Sequence, residues 1–246
     1  MPATKTEVRR AADRFTTTAP AIKSRHSFSF GAHYDPDNTG HGLLLAHNDE
    51  VVQPGAGFET HAHRDTEIVT WVVHGRLMHQ DSTGHTGVVH PGLAQRMSAG
   101  TGIEHSERNA SSDEPVRFVQ MWVSPDEPGL DPGYEQREIG DELAGGGLVT
   151  VASGMPQHRD YAAIRINSTR AALHAARLAP AGSVTLPAAP YLHLFVARGT
   201  VDLEGVGRLD EGDAVRFTGG DGQRVTATGD GAEVLAWEMH ADLRTG

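Results

Sequence analysis

The chain has 246 residues, 38% hydrophobic and 22% charged, an ordinary balance for a folded globular protein and one that excludes a disordered chain. It contains no cysteine, so disulfides, thiolate zinc sites, iron–sulfur clusters and a cysteine nucleophile are excluded. A formal net charge of -11 repels a nucleic-acid backbone over most of the surface, and no apolar stretch approaches membrane-spanning length.

Taken in chain order, the first 25 residues carry Lys5, Arg9, Arg10, Arg14, Lys23 and Arg25 with no apolar core behind them. They read as a solvated arm, not a secretory signal, and a cytoplasmic location is expected. Glycine (29) and proline (13) recur between short runs of Val, Ile, Leu, Phe and Trp, with few windows of helical period. That is an all-β pattern. Strands are predicted at 25–30, with His26, Phe28 and Phe30 on one face, and at 68–73, apolar enough to be buried on both sides. Further strands fall at 87–90, 95–98 and 116–123, separated by turn signals such as Asp81-Ser82-Thr83-Gly84 and Pro91-Gly92.

Two pairs stand out along this stretch, His61-Ala62-His63 and His105-Ser106-Glu107. On a strand, residues two apart share a face, so each pair aims two ligating atoms the same way. Three imidazoles and a carboxylate suit Fe(II), Mn(II), Ni(II), Cu(II) or Zn(II). With 15 histidines in the chain, about one His-x-His arises by chance, so the surroundings matter. Gly55 and Gly75 frame His61, His63 and Glu67 nearly as in the first cupin motif, and Gly92, Gly100, His105 and Asn109 follow the second. Each motif has one extra residue, and Ser98 stands where proline is usual.

Residues 124–133 hold three prolines and two glycines and read as a crossover between lobes, with a second loose point at Gly145, Gly146 and Gly147. The expected division is a metal-binding domain at 1–133 and a degenerate copy at 134–246. New strands are predicted at 148–152, 191–197, 200–203, 214–217, 224–227 and 234–239. Aligning Gly199 with Gly75 places Thr185 and Pro187 opposite His61 and His63, and aligning Gly212 with Gly92 places Val225 and Ala227 opposite His105 and Glu107. On this register the second lobe has no ligands.

A longer string carries a resemblance: Ser24 to Gly31, Tyr34-Asp35-Pro36, Pro54 to Trp71, His79 to Val89, Gln95 to Glu107, Gln120-Met121-Trp122 and Tyr134-Glu135-Gln136. It resembles the pirin family of bicupins. The resemblance implies two stacked antiparallel β-barrels of the double-stranded β-helix (jelly-roll) type with one mononuclear metal in the first. It places the ligands on His61, His63, His105 and Glu107, whereas a generic cupin would use Glu67; here Glu67 is left behind the ligands or in the pocket. Ala62, where the family commonly has proline, and Leu93, within an otherwise usual turn, depart from the pattern without removing a ligand.

The activity implied is that of a quercetin 2,3-dioxygenase, cleaving a flavonol with O2 and releasing carbon monoxide. The metal, expected as Fe(II) with Mn, Ni, Cu, Co or Zn as alternatives, would lower the pKa of the flavonol 3-hydroxyl. Glu107 is the expected catalytic base and Glu67 the second choice. Phe28, Phe30, Trp71, Met121 and Trp122 are candidate aromatic or apolar walls, although Phe28, Phe30, Trp71 and Met121 read first as barrel core. His26, His33, His74, His79, His85 and His90 read as surface or hairpin residues, and His193 as structural. The alternative function is a metal-bearing regulator acting through a protein partner. Another cupin enzyme or a storage bicupin are further rivals.

Overall fold

Alternation of inward and outward side chains along short strands, closed by glycine-rich turns, gives the chain two β lobes packed back to back. A computed structural model describes residues 5–243. The first strands are β1 (Lys5–Arg9), β2 (Phe15–Ala19), β3 (Ile22–His26), β4 (Leu44–Val52), β5 (Gly57–His63), β6 (Glu67–His74), β7 (Leu77–Asp81) and β8 (Thr86–Val89). They continue with β9 (Leu93–Ser98), β10 (Ile103–Asn109), β11 (Val116–Val123) and β12 (Gly133–Glu138). A short helix, α1 (Gly140–Ala144), leads to β13 (Val149–Ser153), β14 (Ile164–Arg165), β15 (Ala171–Leu178), β16 (Ser183–Thr185), β17 (Ala188–Leu203), β18 (Gly207–Asp210), β19 (Ala214–Asp221) and β20 (Arg224–Met239). Among the described residues, no helix is long and apolar enough to cross a membrane.

In the N-terminal lobe a seven-stranded sheet, ordered β12-β9-β6-β11-β4-β3-β2, faces a four-stranded sheet, β5-β10-β7-β8. The second lobe is built from a nine-stranded sheet centred on β17 and β20. Pairing is antiparallel except between β13 and β14. The two-residue period divides β6 between two cores. Val69, Trp71 and Val73 join Leu173, Phe195, Leu235 and Trp237 in the core between the lobes. Val72 turns the other way, onto Leu77, Val116 and Phe118 inside the first barrel. The lobes also exchange chain across the expected boundary: β1 pairs with β19 of the second, and β12 with β9 of the first.

The interior of the second barrel is filled by Val184, Leu186, Val225, Ala227 and their neighbours. Val184 pairs directly with Val225, as His61 does with His105. The inward residues are therefore Val184 and Leu186, one position before the expected Thr185 and Pro187, and Thr185 is exposed. The glycine anchors do correspond: Gly75 and Gly199 both lie in the left-handed region, at φ 79 and 76. A Cβ at Gly75 would meet Pro115 O at 2.7 Å, and one at Gly199 would meet Gly231 O at 2.2 Å. The strand expected at 25–30 stops at His26; Ser27 N still bonds to His47 O of β4 (3.1 Å), after which the chain turns and Phe28 enters the core between lobes.

Candidate metal centre

The centre lies where β5 pairs with β10. Their antiparallel register sets His105 against His61 and Ile103 against His63, and shifts between His105 and Glu107. On its other edge β10 pairs with β7, placing His105 against Asp81 and Glu107 against His79. Gly57 permits the close approach of β5, since a Cβ there would lie 2.2 Å from Glu107 O. His105 and Glu107 are each 2% exposed, whereas His61 and His63 are half-buried at the cavity side.

His61, His63 and His105 converge, with ring centroids 4.9, 4.5 and 4.9 Å apart for the pairs 61/63, 61/105 and 63/105. Their ligating nitrogens lie within 4.8 Å of one another. A second trio, His79, His105 and Glu107, meets the same limit and shares His105 with the first, so Glu107 is grouped with His105 and His79 and not with His61 and His63. His61 Nδ1 donates to Glu59 O (2.7 Å), which leaves its Nε2 lone pair for the centre. His63 Nε2 and both ring nitrogens of His105 are buried without a hydrogen-bond partner among the described residues. Burial holds His63 down to about 4, with a contribution from His61, and His105 down to about 2, with contributions from His61 and His63. Both rings are neutral at physiological pH, the form that ligates.

Burial raises the Glu107 carboxyl to about 7, although the bond from Gln120 Nε2 to its Oε2 (2.6 Å) favours the anion. Gln120 Oε1 accepts from Trp122 Nε1 (3.1 Å), and the Trp122 ring stands edge-on to His63 at 4.9 Å. Three converging neutral imidazoles with orphaned nitrogens, beside a buried carboxyl, fit a single divalent transition metal.

Of the expected wall residues, Phe30 and Trp122 line the cavity beside this centre, with Phe58 and Phe118. Phe28, Trp71 and Met121 belong to the core between lobes: Arg216 stacks on Phe28 at 4.3 Å, Trp71 Nε1 donates to Glu233 Oε1 (2.7 Å), and Met121 Sδ accepts from Trp237 Nε1 (3.2 Å). Glu67 corrects an expectation. It accepts from Ser98 Oγ (2.8 Å) and from Asn167 N and Nδ2 (3.0 and 3.1 Å), on the face of β6 that meets the second lobe, and it does not line the metal cavity. The reason is the turn between β5 and β6, where Asp65 has φ 48: it breaks the alternation that would carry Glu67 onto the face of His63.

Two histidines expected at the surface are buried instead. His26 lines the cavity, and His79 sits 5.4 Å from the His105 ring with its Nε2 donating to Asp81 Oδ2 (3.1 Å). Burial alone would raise the Asp81 carboxyl, but bonds from Thr83, His79 and His85 hold it at about 2. In the sequence Gln120 belongs to the Gln120-Met121-Trp122 string, and its spacing from Trp122 is the signal that both share a face. His193, expected to be structural, packs beside His47 at 4.7 Å between the lobes, buried, with both ring nitrogens lacking a hydrogen-bond partner among the described residues.

Residues 6–123 match the family model described as Pirin. A Mycobacterium tuberculosis protein named "Putative quercetin 2,3-dioxygenase" is 61% identical over 237 residues, covering 96% of each chain. An Escherichia coli protein named quercetin 2,3-dioxygenase is 45% identical over 142 residues, 58% of this chain and 61% of that one. The crystal structure of the Escherichia coli bacterial pirin YhhW in complex with nickel(II) superimposes with a TM-score of 0.86 at 32% identity, over 96% of this chain and 100% of that one.

Proposed function

The chain belongs to the pirin family, and from that premise we propose that it is a metal-dependent dioxygenase that opens flavonols such as quercetin with O2 and releases carbon monoxide. The observation that carries this reading is the meeting of the three-histidine trio and the buried Glu107 with an aromatic-walled cavity of about 540 Å³. That volume accommodates a flavonol, within the usual range for small-molecule sites. His61, His63, His105 and Glu107 are assigned as ligands of one divalent metal, with Fe(II) first among several that the donors admit. The metal-binding unit at 1–133 and the ligand-free unit at 134–246 are part of the same proposal.

A bound divalent ion supplies Lewis acidity that lowers the pKa of the flavonol 3-hydroxyl. The remaining work falls to side chains. Glu107, assigned beside the metal, is placed to accept the hydroxyl proton, and Gln120 fixes the orientation of that carboxyl. Trp122 and Phe30, edge to face at 5.2 Å, flank a flat ring and keep water from it. The nickel complex of the related YhhW, and the dioxygenase names of the sequence relatives, support this assignment.

The test is to load the protein with Fe(II) or Ni(II), follow quercetin absorbance under air, and trap the evolved gas. Equimolar quercetin loss and carbon monoxide release is the expected result. Metal uptake without quercetin loss would overturn the reading and favour a metal-bearing regulator that works through a protein partner.

A further inference from the structure

The cavity wall carries polar groups that coordination chemistry leaves unused. Cross-strand pairing on β3, β4 and β11 aligns Ser24, Glu50 and Phe118 in one row, and His26, Asn48 and Gln120 in the next. The two-residue period turns both rows to the same side, and all six residues line the cavity that holds His61, His63 and Glu107. Glu50 is 5% exposed and Asn48 2%. Ser24 Oγ donates to Glu50 Oε2, and His26 Nδ1 donates to Asn48 Oδ1 at 2.9 Å. His26 is steadied in turn by Thr17 Oγ1 on its Nε2 at 2.9 Å.

These bonds use one oxygen of Glu50 and the oxygen of Asn48. Glu50 Oε1 and the Asn48 amide nitrogen make no hydrogen bond to the described residues; the two residues are 5% and 2% exposed and line the cavity, which is where these atoms stay accessible. Free polar atoms on the wall of an otherwise aromatic cavity are positioned to pair with a polar group of whatever enters it. Phe118 and Phe58, edge to face at 6.4 Å, bound the same space with Phe30 and Trp122, so whatever pairs with them is presented on the edge of a flat ring. In the metal-free protein burial pushes the Glu50 carboxyl up to about 8; in either protonation state its free oxygen can pair with a ligand hydroxyl.

We propose that Glu50 and Asn48 form a subsite that reads two adjacent ring hydroxyls and so selects catechol-bearing flavonols. The inference rests on the dioxygenase reading of the same cavity. Glu50 and Asn48 are two residues apart on β4, so their free groups point into the cavity as neighbours. A catechol offers two vicinal hydroxyls, each able to donate and accept.

The probes are quercetin and galangin, which differ only in the two catechol hydroxyls. Dissociation constants are measured by calorimetry on nickel-loaded protein under nitrogen, where no turnover occurs. Wild-type protein is expected to prefer quercetin by about tenfold, the worth of one or two net hydrogen bonds. Glu50→Leu should reduce the preference to about twofold by weakening quercetin alone, whereas Glu50→Gln, which still pairs with a hydroxyl, should keep most of it. Asn48→Leu should act in the same direction, and an unchanged nickel content shows that each variant is folded. A preference unaltered by both leucine substitutions, or absent in the wild type, overturns the subsite while leaving the dioxygenase reading intact. Failure of the wild type to bind either flavonol overturns that reading and the subsite with it.

Discussion

Filling the metal centre must displace a proton from Glu107. Burial raises that carboxyl to about 7, so at pH 6 about nine-tenths of the metal-free protein holds the proton, and at pH 8 about one-tenth. His63 and His105, held at about 4 and about 2, are already neutral at pH 6 and release nothing. Glu107 as a ligand is anionic, so nickel(II) binding should expel about 0.8 more of its proton at pH 6 than at pH 8. Apparent affinity should then lose an extra factor of up to about ten per pH unit below 7. Titration calorimetry in two buffers of different ionisation enthalpy counts the protons. Glu107→Gln has no acid proton, so its release at pH 6 should be lower than the wild type's by that amount, with every other contribution common to both. Equal release by the two proteins at pH 6 would refute the ligand role of Glu107.

The same logic applies to Glu50 in the metal-free protein. Its folded value of about 8 lies above the ordinary 4.5 of a glutamate, so the stability it contributes is complete below about pH 4.5 and is lost as pH rises through 8. In thermal melts Glu50→Gln should therefore gain on the wild type between pH 6 and pH 9; a constant difference would contradict the buried, protonated carboxyl. Glu233 accepts from Trp71 Nε1 at 2.7 Å and from Arg177 Nε at 2.6 Å, tying the lobes together. Glu233→Ala leaves the buried indole N–H unpaired and should cost about 1–3 kcal/mol, read as a lower denaturant midpoint at constant slope. Glu67→Ala should likewise lower stability but keep the full metal content, because Glu67 binds Ser98 and Asn167 rather than facing the centre. Metal loss in a folded Glu67→Ala protein would return Glu67 to the coordination sphere.

The site was more legible in the sequence than the joints around it. His61, His63, His105 and Glu107 could be read because strand alternation is local: two residues apart means one face, whatever the rest of the chain does. The strand expected at 116–123 matches β11, since its apolar residues occupy both faces of a buried strand. β15 (Ala171–Leu178) escapes such a reading, because its four alanines carry little strand preference and its place is set by pairing with β20 and β13. Glu67 was misread for a related reason: three residues of turn separate it from His63, and facing cannot be counted through a turn. His26 and Glu50 meet the cavity, and His79 meets His105, only through pairings between β3, β4, β7, β10 and β11, which no short spacing records.

The most direct test of the account takes wild-type protein and His61→Ala through the same two assays, metal stoichiometry after loading and quercetin turnover with carbon monoxide detection. His61 is half-buried at the cavity side and contributes one of the three converging imidazoles, so its removal should disable the centre while leaving the fold intact. One metal ion per wild-type chain with turnover is expected, and a joint loss of both in His61→Ala. Turnover that survives in a folded His61→Ala protein would contradict it.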